Sequence, residues 1–178
     1  HAQEPGAAPV PAQVTALAGC WQGTGSVMGK PVVITLAARP VALDALFLVE
    51  ADSHATGDIA DRYAAHLIFG GRAAGGPGGV SGFFADSFGG DYTATGSGTA
   101  TAGGFEIAYA YPDATFVNRW TVAASVATWT IVARDVTGAD TPFASYDLTE
   151  RASLQLNVKN ATDEEYIIRT NGVHHADV

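Results

Sequence analysis

From residue 20 onward, short runs rich in Val, Thr, Ile, Phe and Tyr recur along the chain, divided by Gly, Pro, Asp or Asn. The pattern predicts strands near 20–28, 31–38, 46–53, 62–69, 79–88, 91–101, 104–111, 115–123, 126–134, 142–150 and 153–159. Several runs alternate clearly. Phe105, Ile107, Tyr109 and Tyr111 share one face, opposite Glu106, Ala108 and Ala110. Phe116, Asn118, Trp120 and Val122 oppose Val117, Arg119 and Thr121, and Trp129, Ile131 and Ala133 oppose Thr130, Val132 and Arg134. Successive side chains of a strand point to opposite faces, so each run has one apolar and one wetter side. Only one segment reads as helical, Ala12 to Ala18, with Pro11 near its first turn and Gly19 closing it.

Strands at this spacing, joined by tight turns, form an antiparallel meander. An open meander of about ten strands leaves two exposed edges, and closure into an up-and-down barrel removes them. The run Tyr92 to Thr101 carries Gly96 and Gly98 within a strand, which marks strong bending or a close approach of backbones. Gly71 to Gly79 is too rich in glycine for a strand and reads as a loop at a barrel rim. A barrel of ten strands is wider than the eight-stranded case that side chains readily fill, which favours an internal ligand cavity.

Composition sharpens this picture. A chain of 178 residues fits one domain. Charged residues are 15%, against about 25% in ordinary domains, which excludes a charged disordered tail or a coiled coil. The 21 glycines follow no collagen period. A net charge of −9 without a basic cluster argues against nucleic acid and against anionic membrane surfaces. No run approaches the ~20 apolar residues of a spanning helix. Cys20 is the lone cysteine, which excludes an intrachain disulfide and a cysteine-built metal site. The division expected is a flexible segment at 1–11, a barrel at 12–151 and a C-terminal strand and tail at 152–178. The Pro- and Ala-rich start reads like the beginning of an exported, processed chain, implying a periplasmic or secreted location.

The segment Leu17-Ala-Gly19-Cys-Trp21-Gln-Gly23-Thr-Gly25 places a Trp on the first strand, just after the short helix. It resembles the opening of calycin-type barrels: lipocalins, fatty-acid-binding proteins, nitrobindins and a bacterial lipocalin-like group of unknown function. Gly29-Lys30, Phe84-Ala-Asp86-Ser87, the run Tyr92 to Thr101 and Leu148-Thr-Glu-Arg151 stand where that group carries matching features. The resemblance covers about residues 12–151 and implies an all-β, antiparallel lipocalin-like barrel with Trp21 plugging one end. Nitrobindins bind haem through a late histidine. No His stands between Tyr92 and Lys159 here, so no haem and no other cofactor is expected. Leu154 to Tyr166 is similar to a strand and turn near the end of TonB-dependent outer-membrane receptors, and its alternation suits pairing with the barrel wall or with a second subunit in a homo-oligomer.

Candidate chemistry follows from the polar groups in strand interiors. His66, in Tyr63-Ala-Ala-His66-Leu-Ile-Phe69, is either an inward acid–base group or a satisfied wall histidine. Asp86 lies among Phe83, Phe84 and Phe88, where a carboxylate is costly unless paired. Arg119 and Arg134 are candidate partners for it or for Glu106, or holders of a ligand's polar group. Tyr109, Tyr111, Phe116, Trp120 and Trp129 suit a flat or apolar ligand, or else a filled core. His174-His175 with Asp177 lacks a built shell, so no metal site is assigned. Hydrolase, metalloprotease, phosphate-loop and dinucleotide motifs are absent from the sequence. Three functions are compatible: binding of a small hydrophobic or aromatic molecule in the barrel; a cofactor-independent lyase or isomerase with His66 and Asp86 as catalytic pair; and an envelope interaction module using the tail. In the first, Tyr109, Tyr111, Arg119, Trp120, Trp129 and Arg134 are the expected ligand contacts.

Overall fold

The computed structural model describes residues 8–74 and 76–151. A short helix, α1 (Ala12–Thr15), precedes ten strands: β1 (Gly19–Val27), β2 (Lys30–Val41), β3 (Leu46–Ala55), β4 (Asp58–Arg72), β5 (Gly79–Asp86), β6 (Ala94–Thr101), β7 (Gly104–Ala110), β8 (Thr115–Ala123), β9 (Val126–Arg134) and β10 (Asp140–Glu150). Each strand pairs antiparallel with the next, and β10 pairs with β1, so the sheet closes as an up-and-down barrel. Closure satisfies the edge hydrogen bonds that an open meander would leave free. The run expected at 153–159, and the tail behind it, lie outside the described residues.

Several features differ from the sequence reading. β4 runs from Asp58 to Arg72, well beyond the expected 62–69. The expected strands 79–88 and 91–101 end and begin further apart. β5 stops at Asp86 because its carboxylate accepts the Phe88 N–H at 2.9 Å and Gly89 turns the chain at φ 98°. A single 3-10 turn, Gly90–Tyr92, then leads into β6. The rim loop is also shorter than Gly71–Gly79, since Gly71 and Arg72 pair with Val80 and Gly79.

Register carries the alternation from strand to strand. Phe105, Trp120, Trp129 and Tyr146 are successive cross-strand partners on β7, β8, β9 and β10. Their rings form one stack around the inner wall, with centroids 5.9, 4.5 and 5.0 Å apart and interplanar angles of 10°, 11° and 29°. Phe69 meets Phe105 edge-on across the interior at 5.2 Å. Such contacts add about 0.5–1.5 kcal/mol per pair beyond area burial. Trp120, Trp129, Phe69 and Phe105 are fully buried. Side chains therefore occupy much of the interior, contrary to the expectation of a wide lumen drawn from strand number.

The two ends of the barrel differ. At one end α1 brings Val14 and Leu17 to complete burial beside Trp21. The Trp21 indole donates to the Leu17 carbonyl at 2.8 Å, and Gly19, at φ 126°, turns the chain into β1. The N-terminal segment crosses the wall here so closely that a side chain on Gly71 would overlap the Pro9 carbonyl. Among the described residues, Ala8 and Pro9 already lie against the barrel wall at Gly71. At the opposite end, the mouth, inward-facing Tyr63, Asp86, Tyr111, Phe116 and Phe143 remain half-buried.

Candidate functional site

The mouth is built by parity. Asp86 is the cross-strand partner of Ala65, which is buried, so the carboxylate also points inward. Tyr63 lies two residues before Ala65 on the same face of β4. Its hydroxyl donates to Asp86 Oδ2 at 3.0 Å, while Asp86 Oδ1 accepts the Phe88 N–H. These bonds fix both carboxylate oxygens on one side of the mouth.

Aromatic side chains continue from this pair in an arc. Tyr63 meets Phe88 at 5.8 Å, and Phe88 meets Tyr92 at 5.9 Å. The Tyr111 hydroxyl donates to the Tyr92 carbonyl at 2.9 Å, bridging the loop after β5 to the end of β7. Tyr111 meets Phe116 at 5.4 Å, and Phe116 meets Phe143 at 5.0 Å, both edge-on. Tyr109, fully buried below, packs its ring on Phe84 at 5.4 Å.

Burial sets the electrostatics. The Tyr63 phenol is raised well above its usual pKa by burial first and then by the Asp86 charge. Burial also raises Tyr109 and Tyr111, with Asp86 contributing to the latter, and pushes Tyr146 up to about 12. The mouth therefore presents neutral phenols around one carboxyl group.

Of the residues expected to carry function, Asp86, Tyr109, Tyr111, Trp120 and Trp129 face inward. Trp120 and Trp129 belong to the packed stack, and only Asp86 and Tyr111 reach the half-open mouth. The inward reading of His66 is corrected. It is the partner of Ala85 and Glu50 on the outer wall, its side chain is 63% exposed, and its Nε2 lies 3.7 Å from the Glu50 carboxylate. Ala65, Leu67 and Phe69 take the inner face of β4, which leaves His66 outside. His66 and Asp86 consequently stand on opposite faces of the wall and form no acid–base pair.

The inward, ligand-holding reading of Arg119 and Arg134 is corrected in the same way, while the expected pairing of Arg119 with Glu106 forms. Arg119 alternates with the inward Asn118 and Trp120, and donates to Glu106 on the outer surface at 2.6 Å. Arg134 grips Asp140 through two hydrogen bonds of 2.7 and 3.0 Å. Neither pairs with Asp86. Sequence reasoning passed over Tyr63 and Phe143. Tyr63 was marked by its two-residue spacing from Ala65, Leu67 and Phe69. Phe143 sits at a bulge between Pro142 and Ala144, where alternation gives no guidance.

An open groove of about 910 Å³ lies outside the opposite end between the N-terminal segment and the turns after β4 and β6, with Arg72 its charged residue. It brings together no cluster of titratable groups. Among the described residues no group of three or more His, Cys, Asp or Glu side chains is placed to hold a metal ion, and no helix is long and apolar enough to cross a membrane.

No family model matches this chain, and no curated protein matches it. Among solved structures, the crystal structure of Rv2717c from M. tuberculosis is similar, with a TM-score of 0.64 over 82% of this chain and 99% of that chain, at 14% identity. A likeness at that identity shows the shared barrel fold.

Proposed function

We propose that the protein binds a small hydrophobic or aromatic molecule at the barrel mouth. The observation that carries this reading is the contrast between the ends. One is closed by buried Val14, Leu17 and Trp21, whereas the other exposes an arc of rings that runs from the inner wall at Tyr63, Tyr111, Phe116 and Phe143 onto Phe88 and Tyr92 of the rim. Half-buried aromatic groups around a few fixed polar atoms are the usual lining of small-molecule sites. Phe88 and Tyr92, 69% and 54% exposed, extend the apolar surface beyond the rim. A ligand there would remove this surface from water, at about 25 cal/mol per Å² of apolar area.

Titration with the neutral fluorophore N-phenylnaphthylamine tests the reading. Saturable enhancement of its emission is expected, weakened at least tenfold by Ala133→Phe. Ala133 is the cross-strand neighbour of Phe116 on the adjacent strand β9, so the added ring takes up space beside Phe116 at the mouth. Saturable binding that Ala133→Phe leaves unchanged, in a variant with wild-type unfolding, places the ligand elsewhere and defeats the proposal. Export belongs to the same proposal, and fractionation of the native host finding the chain in the cytoplasm would remove it.

A further inference from the structure

The Asp86 carboxylate has two hydrogen-bond donors, Tyr63 and Phe88 N–H, and no Lys, Arg or His partner among the described residues. The lysine and arginines near this end are engaged on the outer wall, and His54 faces outward between the inward Ser53 and Ala55. Lys30 pairs with Asp61 at 2.6 Å, Arg62 with Asp52 at 2.7 Å, and Arg134 with Asp140. Asp58, Asp91, Asp113 and Asp135 lie in or beside the mouth-end turns. A partly desolvated carboxylate without a counter-ion therefore faces an aromatic arc, inside a rim of further negative charge.

We infer that the molecule held at the mouth is an organic cation, an ammonium or amidinium group on an apolar or aromatic body, with Asp86 as its counter-ion. This rests on the ligand-binding reading above and narrows it. Three separate contributions favour the positive charge. The faces of Tyr and Phe rings carry negative quadrupole density and attract ammonium groups within about 6 Å of the ring centroid. The carboxylate adds a charge-assisted contact that neither a neutral nor an anionic ligand makes. The aspartates of the rim raise the local concentration of cations and oppose anions. Tyr63 acts as a positioning residue: it donates to Oδ2 and, with Phe88 N–H on Oδ1, holds the carboxylate beside the arc.

The test compares three probes of one shape by calorimetric titration of the full chain: the naphthylmethyl-trimethylammonium ion, its neutral isostere neopentylnaphthalene, and naphthylacetate. The cation is expected to bind about tenfold or more tightly than the isostere, with naphthylacetate weakest. Asp86→Asn retains the amide oxygen for Phe88 N–H. It is expected to cut the preference for the cation at least threefold, the rings and the rim keeping the remainder, while leaving the isostere's affinity within twofold. Rising salt should weaken the cation alone, a measurement on the wild-type chain that does not depend on the variant folding. Equal binding of cation and isostere, or a preference that neither Asp86→Asn nor high salt diminishes, overturns this inference and leaves the apolar-ligand reading standing. Failure of all three probes to bind removes both.

Discussion

The hydroxyl of Tyr109 lies against Gly82, two strands away, and its ring crosses Gly96 on the strand between. The three residues are in register across β5, β6 and β7. A Cβ on Gly82 would stand 2.6 Å from the hydroxyl, and one on Gly96 would stand 2.7 Å from the ring. The glycines of this wall are thus partly a bed for an aromatic side chain. Gly25 on the other side of the barrel is held by both backbone and ring: a Cβ there would overlap the Ser145 carbonyl and meet the Tyr146 ring at 2.6 Å.

This relationship separates two kinds of glycine. Gly82→Ala meets side-chain atoms of Tyr109 and Ile107, which can shift, so it should cost about 1–3 kcal/mol in urea unfolding. Gly98→Ala would overlap the Glu106 carbonyl, which the strand pairing holds in place. It should cost about 3 kcal/mol or more. The Tyr109 hydroxyl is itself buried without a hydrogen-bond partner among the described residues. Tyr109→Phe should therefore leave stability unchanged or raise it by about 1 kcal/mol. A large loss in Tyr109→Phe would mean that the hydroxyl has a partner.

Asn118 is the buried amide of the inner wall, and its Oδ1 accepts the Trp129 indole N–H at 2.8 Å. Asn118→Leu keeps the volume and strands that donor inside the stack. A loss of about 1–3 kcal/mol is expected by urea denaturation, the cost of an unsatisfied buried donor. The double variant Asn118→Leu/Trp129→Phe should recover part of it, because the indole donor is then gone. No recovery would show that packing rather than the hydrogen bond sets the loss.

Alkaline pH should unfold this barrel through its phenols. Folding raises the pKa of Tyr63, Tyr109, Tyr111 and Tyr146, Tyr146 to about 12, with burial the leading cause in each. A group whose pKa is raised by folding contributes stability fully below its unfolded value. That contribution is lost as pH climbs through the folded value. The urea midpoint should hold steady up to about pH 9 and fall beyond about pH 10, the unfolded tyrosine value. Tyrosinate absorbance should lag in the native state and rise with unfolding. Complete titration near the unfolded value in a chain that stays folded would contradict the burial of these groups.

The fold was legible because most of the wall alternates cleanly. Phe105, Ile107 and Tyr109, then Phe116, Asn118 and Trp120, then Trp129 and Ile131, all face inward as their spacing required. The site was less legible, for two physical reasons. Around His66 both faces of β4 carry apolar residues, Ala64 and Ile68 outside against Ala65, Leu67 and Phe69 inside, so local pattern did not choose between them. Arg119 and Arg134 stood out as charges in apolar strands. Their partners Glu106 and Asp140 come from neighbouring strands, and only register discloses that they meet outside the barrel. Asp86 shares a parity with Phe84 and was open to reading, but its donor Tyr63 lies across a strand pair, which one-dimensional spacing does not reveal.

The measurement closest to the central claim is a titration of isotopically labelled protein with N-phenylnaphthylamine, followed by two-dimensional amide and aromatic NMR. The account predicts saturable shifts concentrated on Tyr63, Asp86, Phe88, Tyr111, Phe116 and Phe143, with the outer wall around His66 and the groove around Arg72 unchanged. Shifts confined to that groove or to the outer wall, or no saturable shift at the mouth, would contradict it.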